Sequence, residues 1–159
     1  MNGDTAKMCK VFKEAAEEKG HEVIQIDVCR KNIRGCLACE YCHNKGNGSC
    51  IQDDDMKQIF PHLKDAEMLV LASPIYYHNI SGQLKCVIDR FYSILYPKAP
   101  ETLKKTAMFL ASGDPDMYDG ARFSYEGDFL GYLDLEDLGM FTNHDADVLE
   151  KIRHMADKL

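Results

Sequence analysis

The apolar run Met68-Leu69-Val70-Leu71-Ala72, closed by Ser73-Pro74 and followed shortly by a long helical stripe, constrains this chain more than any other feature. A strand that is apolar at every position needs cover on both faces. That is the environment of a parallel sheet, whose strands are joined by crossover helices. The stripe supplies such a helix: Ser81 can cap it, and Leu84, Val87, Ile88, Phe91, Ile94 and Leu95 recur at helical spacing, with Lys85 and Asp89 paired four apart outside.

The alternation extends in both directions. Residues 4–19 place Met8, Val11, Phe12, Ala15 and Ala16 at helical spacing, with Asp4 or Thr5 as cap and Gly20 as terminator. Residues 21–28 put Ile24, Ile26 and Val28 on one face, which predicts a strand near a sheet edge. No period holds over about 29–52, where Gly35, Gly46 and Gly48 stand among polar residues and cysteines. Asp53, Asp54 and Asp55 then open a helix through about Ala66, split or kinked by Pro61. A second buried strand is expected over 106–111, a polar loop over 112–116, and a short helix over 121–130. A weak strand over 139–142 and a closing helix over 145–159, with Val148, Ile152 and Met155 inward, complete the order. Helix and strand alternating in this way predict an α/β doubly wound parallel sheet in three α/β/α layers, with residues 1–159 as one domain.

Composition removes several function classes. A net charge of -7 opposes general nucleic-acid binding, which needs cations to displace phosphate counterions. No apolar run is long enough for a membrane span or a signal peptide, so a cytoplasmic protein is expected. The histidines fall in no ligand or triad spacing and no serine lies in a nucleophile elbow, which leaves hydrolase chemistry without support. Seven cysteines make an odd count, and four of them, Cys36, Cys39, Cys42 and Cys50, crowd together as C-x2-C-x2-C-x7-C. In a chain without a secretion signal, such a cluster is more often a metal or redox site than a set of crosslinks. Four thiolates at this spacing can reach one centre, as a [4Fe–4S] cluster requires; tetrahedral Zn, with His43 able to replace one cysteine, and loop thiols without metal are the competing readings. Cys36 and Cys39 are also spaced for thiol exchange.

Three segments together resemble the flavodoxin-like iron–sulfur flavoproteins and NADPH-dependent FMN reductases. They are Asn2-Gly3-Asp4-Thr5; the block Gly35-Cys36-Leu37-Ala38-Cys39-Glu40-Tyr41-Cys42 with Cys50 and Asp53-Asp54-Asp55-Met56; and Ala72-Ser73-Pro74-Ile75-Tyr76-Tyr77 with Ser81-Gly82-Gln83-Leu84-Lys85. Ser112-Gly113-Asp114 is a shorter fourth. The resemblance implies FMN at the carboxyl edge of the sheet, where open α/β proteins bind ligands. Pro74, Ile75, Tyr76 and Tyr77 would wall the isoalloxazine and Asn79 would meet its pyrimidine side. Ser112, Gly113 and Asp114 would close the pocket, with Tyr118 a neighbour, and Asn2 and Thr5 would meet the phosphate at a helix N-terminus. Helix capping, an ordinary turn and exposed tyrosines are the plainer readings of the same residues. The resemblance further implies NAD(P)H as electron donor, a small-molecule or ferredoxin-like electron partner, and a homodimer or homotetramer. A metal-binding interaction module without flavin is the alternative from another class. Relatives of this kind begin with a central strand that has no counterpart here. That implies a truncated reading frame, direct pairing of the 21–28 strand with the 68–72 strand, or another subunit in the slot.

Overall fold

The computed structural model describes residues 3–159. In chain order its elements are α1 (Asp4–Glu18), α2 (Tyr41–Asn44), α3 (Phe60–Asp65), β1 (Met68–Tyr76), β2 (Asn79–Ile80), α4 (Gly82–Leu95), β3 (Lys105–Ala111), α5 (Asp119–Tyr125), β4 (Glu136–Thr142) and α6 (Val148–Met155). The sheet runs β2-β1-β3-β4, with β1, β3 and β4 parallel and β2 folded back antiparallel on the end of β1.

Side-chain alternation along β3 sets the layers. Ala107 and Phe109 join Met8, Phe12, Ala15 and Ala16 of α1 and Ile152 and Met155 of α6 in one cluster. Met108 and Leu110 join Leu84, Val87, Phe91 and Leu95 of α4, Leu63 of α3 and Ala121 and Tyr125 of α5 in the other. The sheet is therefore covered on both faces, giving the expected α/β/α sandwich. Gly20, at φ +89°, turns the chain out of α1 as expected.

The sheet edge departs from expectation. Residues 21–28 form no strand: Val23 leans on one cluster, Ile26 and Val28 on the other, and Ile24 is 48% exposed. Ile26 and Val28 share the predicted face while Ile24 leaves it, and the segment has no ladder partner among the described residues. Nor does this segment pair with β1. β1 is bonded to β3 from Met68 to Pro74, while on its other side β2 covers Ile75 and Tyr76 alone. The remaining edge of β1 has no ladder partner among the described residues. Met68, Leu69, Val70 and Ala72 are accordingly half-buried, whereas residues 106–110 of β3 are buried throughout. A cavity of about 640 Å³ opens beside the unpaired segment, lined by Gln25, Ile26 and Asp27 with Lys13 and His62.

Other differences are local. The expected 53–66 helix divides into a 3-10 turn, Asp55–Gln58, and α3, with Pro61 in the first turn of α3. The helix expected over 121–130 starts at Asp119 and widens into a π-helical turn, Glu126–Tyr132. β4 starts before Gly139, through a register shift opposite Thr106 and Met108 where Gly139 takes φ +126°. A Cβ there would stand 2.8 Å from the Phe141 ring. The closing helix starts at Val148 because Asp145 is spent at the end of β4, accepting from Thr142 N–H at 2.8 Å and from its hydroxyl at 2.9 Å.

Candidate functional site

Three connections converge at the carboxyl edge of the sheet. The first is the β1–β2 hairpin. Its turn, Tyr77-His78, holds both residues at positive φ, 51° and 62°, a conformation bulky side chains adopt only when their surroundings enforce it. Ser73, fully buried, does part of this: its Oγ donates to the Pro74 carbonyl at 2.7 Å and accepts from Ser81 N–H at 2.9 Å, locking the two arms. Ser81 in turn caps α4. α5 presses from the side, and a Cβ on Gly120 would fall 2.4 Å from the His78 carbonyl oxygen. As a result Tyr76 is 61% and Tyr77 98% exposed, and Asn79 stands at the surface, its Oδ1 accepting from Ile80 N–H at 2.8 Å. Ile75 points into the core instead and lies beneath these residues.

The second connection is the turn after β3. Asp114 N–H donates to Ser112 Oγ at 3.2 Å, and Gly113 has open space around it. Asn143, just beyond β4, clasps Ser112 through both of its amide atoms: Ser112 N–H donates to Oδ1 at 2.9 Å and Nδ2 donates to the Ser112 carbonyl at 3.0 Å. The Tyr118 hydroxyl donates to the same Oδ1 at 2.7 Å, and His144 Nε2 lies 3.0 Å from the Ser112 carbonyl. Burial, chiefly, pushes the Tyr118 phenol up, so it stays a donor. The third connection is the N-terminus of α1. Lys7 pairs with Asp4 at 2.8 Å, and the Lys7 hydrogen bond and charge, with smaller help from Asn143 and His144, hold the Asp4 carboxyl below its ordinary value. Thr5 is half-buried in the first turn, which has no side-chain cap. Asn2 lies outside the described residues.

The cysteines form a separate feature at the side of α4. Cys36 and Cys39 are exposed, Cys42 is buried and Cys50 half-buried. Burial pushes the Cys42 thiol up, with Cys50 close enough to add to the effect. The loop between is held in strained form: Ala38, Glu40 and Asn47 all take positive φ. An aromatic clamp fixes α2, with His43 edge-on to Tyr92 at 4.6 Å and to Tyr96 at 5.3 Å, and His43 Nε2 3.0 Å from the Tyr92 carbonyl. The Tyr92 hydroxyl donates to Glu40, and desolvation together with that carboxylate pushes the phenol up to about 12. Gly46 is packed so closely that a Cβ would meet the Ser49 carbonyl oxygen at 2.2 Å and the Tyr41 ring at 2.8 Å. Gly46→Ala is therefore expected to loosen the loop and speed its cleavage by a protease roughly tenfold, as overpacking of about 1–3 kcal/mol implies. Limited proteolysis of variant and parent side by side checks this.

Both ends of the cysteine loop are tied to Arg90 of α4. Arg90 Nη1 donates to the Arg34 carbonyl at 2.9 Å and to Asp54 Oδ2 at 2.7 Å, and Nη2 donates to Asp54 Oδ1 at 3.3 Å. Gln52 Nε2 adds a bond to the Gly35 carbonyl at 2.9 Å. Four soft thiols fit an iron–sulfur cluster in kind and number, and a buried cation beside Cys50 suits the negative charge of such a centre. The sulfurs are not gathered: among the described residues no three histidine, cysteine, aspartate or glutamate side chains stand close enough to hold a metal. Cys42 and Cys50 are the covered pair and Cys36 and Cys39 the exposed one.

Sequence reasoning missed Asn143, His144 and the Arg90–Asp54 pair. The first two follow a predicted strand at the edge where ligands collect, and Arg90 is a cation set inside an apolar stripe beside Phe91, so both carried a signal. No helix is long and apolar enough to cross a membrane among the described residues.

Known proteins resemble this chain in sequence and in fold. An iron–sulfur flavoprotein of Methanocaldococcus jannaschii is 41% identical over 98 residues, 61% of this chain and 48% of that protein. One from Archaeoglobus fulgidus is 35% identical over 88 residues, 55% of this chain and 39% of that protein. The chain thus spans about half the length of these relatives, or less. Among solved structures, the NAD(P)H:quinone oxidoreductase of Methanothermobacter marburgensis superposes with a TM-score of 0.65 at 18% identity, covering 99% of this chain and 88% of that one. The azoreductase AzrA gives 0.68 at 16% identity, covering 99% and 93%. These likenesses show the flavodoxin-like fold. The model of the NADPH-dependent FMN reductase family matches residues 1–126, from the start of α1 through the hairpin, the Ser112 turn and α5. The chain belongs to the NADPH-dependent FMN reductase family.

Proposed function

We propose that this chain binds FMN at the carboxyl edge of its sheet and serves an NAD(P)H-dependent flavin or quinone reductase whose cysteine loop takes up a [4Fe–4S] cluster. The convergence of the hairpin, the Ser112 turn and the α1 N-terminus on one edge carries the reading. Pro74, Tyr76 and Tyr77 wall the ring system, Ile75 supports them from beneath, and the free amide hydrogens of Asn79 face the pyrimidine side. Ser112, Gly113 and Asp114 close the opposite side, held in place by Asn143 and Tyr118. Thr5 and the uncapped N–H groups of α1 meet the phosphate, with Asn2 just ahead of them. Lys7 offsets the like charge of Asp4 at that end. When bound, FMN supplies two-electron exchange with a nicotinamide and a cluster on Cys36, Cys39, Cys42 and Cys50 supplies one-electron exchange. The protein positions and shields, and no side chain is required as acid or base.

Anaerobic purification, an absorption spectrum, iron and acid-labile sulfide analysis, and NADPH oxidation with added FMN test the reading. Flavin binding with turnover is expected; a protein that takes up neither flavin nor iron sinks it. Gly120→Ala, which drives a methyl into the His78 carbonyl, is expected to weaken FMN binding roughly tenfold through a cost of about 1–3 kcal/mol in the hairpin. Fluorescence titration with FMN reads that change.

A second reading, an electron carrier meeting a ferredoxin-like partner, is favoured by the exposure of Cys36 and Cys39. Reduction by ferredoxin without NADPH turnover would select it. Exposed Tyr77, Phe123 and Tyr132 support a homodimer or homotetramer.

A further inference from the structure

Arg90 lies inside the apolar stripe of α4, its side chain 1% exposed against an Asp54 side chain that is 0% exposed. Two of its three nitrogens are accounted for by Asp54 and the Arg34 carbonyl. The third, Nε, is buried with no hydrogen-bond partner, the one such side-chain nitrogen or oxygen among the described residues. An unmade buried hydrogen bond is costly, and native proteins keep few of them. Cys50 lines one cavity with Phe60, whose ring centroid stands 6.0 Å from the guanidinium carbon, so its sulfur lies on the Arg90 side of the loop, near enough for its charge to act on the guanidinium. The same arginine ties Arg34, at the start of the cysteine loop, to Asp54, beyond its end.

We propose that Arg90 is the positioning residue of the cysteine loop: its Nε–H donates to the Cys50 sulfur when that sulfur ligates the cluster, while its two Nη groups clamp the ends of the loop. The proposal rests on the cluster reading above. A donor to a cluster sulfur favours the more negative, reduced state and so raises the midpoint potential. The orphaned Nε finds its acceptor once Cys50 carries the charge of a ligated thiolate, which makes Arg90 part of the site rather than a structural ion pair alone.

Arg90→Lys isolates the donor, since an ammonium can still reach Asp54 but carbon replaces Nε. Parent and variant are reconstituted anaerobically with iron and sulfide, analysed for both, and titrated reductively with EPR detection. A shift of the midpoint potential to lower values in Arg90→Lys is expected. In the parent labelled with [15N]arginine, pulsed EPR of the reduced cluster is expected to show a nitrogen coupling that Arg90→Lys lacks. A parent that takes up no iron and sulfide overturns the cluster reading and this proposal together. An iron-loaded parent without the arginine coupling overturns the proposal alone, even where the variant fails to fold, as does an unshifted potential in a folded, iron-loaded variant.

Discussion

Asp54→Ala is expected to lower the stability of this protein by about 3–5 kcal/mol, because it strands the Arg90 guanidinium in the core without its counter-charge. Arg34 and Met56 N–H groups, at 3.2 and 3.1 Å from the Asp54 carboxylate, lose their acceptor as well. The paired variant Asp54→Leu with Arg90→Met is expected to recover most of the loss, since apolar replacement of a whole buried pair is often close to neutral. Urea denaturation of the three proteins gives the comparison. The pair also imposes a pH dependence. Burial pushes the Asp54 carboxyl up, but the Arg90 hydrogen bond, the two backbone N–H groups and the Arg90 charge outweigh it and hold the carboxyl below its ordinary value. A carboxyl whose folded pKa is depressed contributes its stability above the unfolded value, near about 4, and loses it as pH falls through the folded value. The stability gap between parent and Asp54→Asn should therefore be full at neutral pH and shrink on acidification below about pH 4.

Phe109→Ala is expected to be as costly, about 3–5 kcal/mol, and for a different reason. Phe109 is fully buried in β3 and meets Phe12 of α1 and Phe141 of β4 edge-on at 5.8 and 5.9 Å. Truncation opens a cavity between helix layer and sheet at the point where three elements meet. Thermal denaturation should show a midpoint lower by roughly ten degrees. Phe109→Leu, which keeps most of the volume, should lose a fraction of that. The site depends on this packing, because β3 delivers the Ser112 turn to the edge.

Long-range pairing and local pattern were unequally legible in the sequence. Leu84, Val87, Phe91 and Leu95 announce α4 by spacing alone, and the apolar run at 68–72 announces a covered parallel strand, so the layers and their order follow. Residues 21–28 alternate as a strand should, yet alternation records only what a side chain touches. Whether the backbone finds a ladder depends on a neighbour elsewhere. At the edge, Ser73, Tyr76 and Ser112 follow from their place after buried strands. Asn143 became visible only when β4 was set beside β3, because its two amide atoms serve Ser112, distant in sequence. The same holds for Arg90: its place in an apolar stripe marks it as odd, but Asp54 and the Arg34 carbonyl had to be folded beside it before it read as a clamp. The cysteine spacing picked out four thiols without showing which are exposed and which are covered.

The β1 edge that has no ladder partner among the described residues has a consequence for handling. From Met68 to Ala72 it presents amide and carbonyl groups on a β-rich, apolar segment, the kind of border that recruits any other strand offered to it. Two such borders can zip together between molecules, so self-association should climb steeply with concentration. Salt should speed it by screening the net charge of -7 that otherwise keeps the molecules apart.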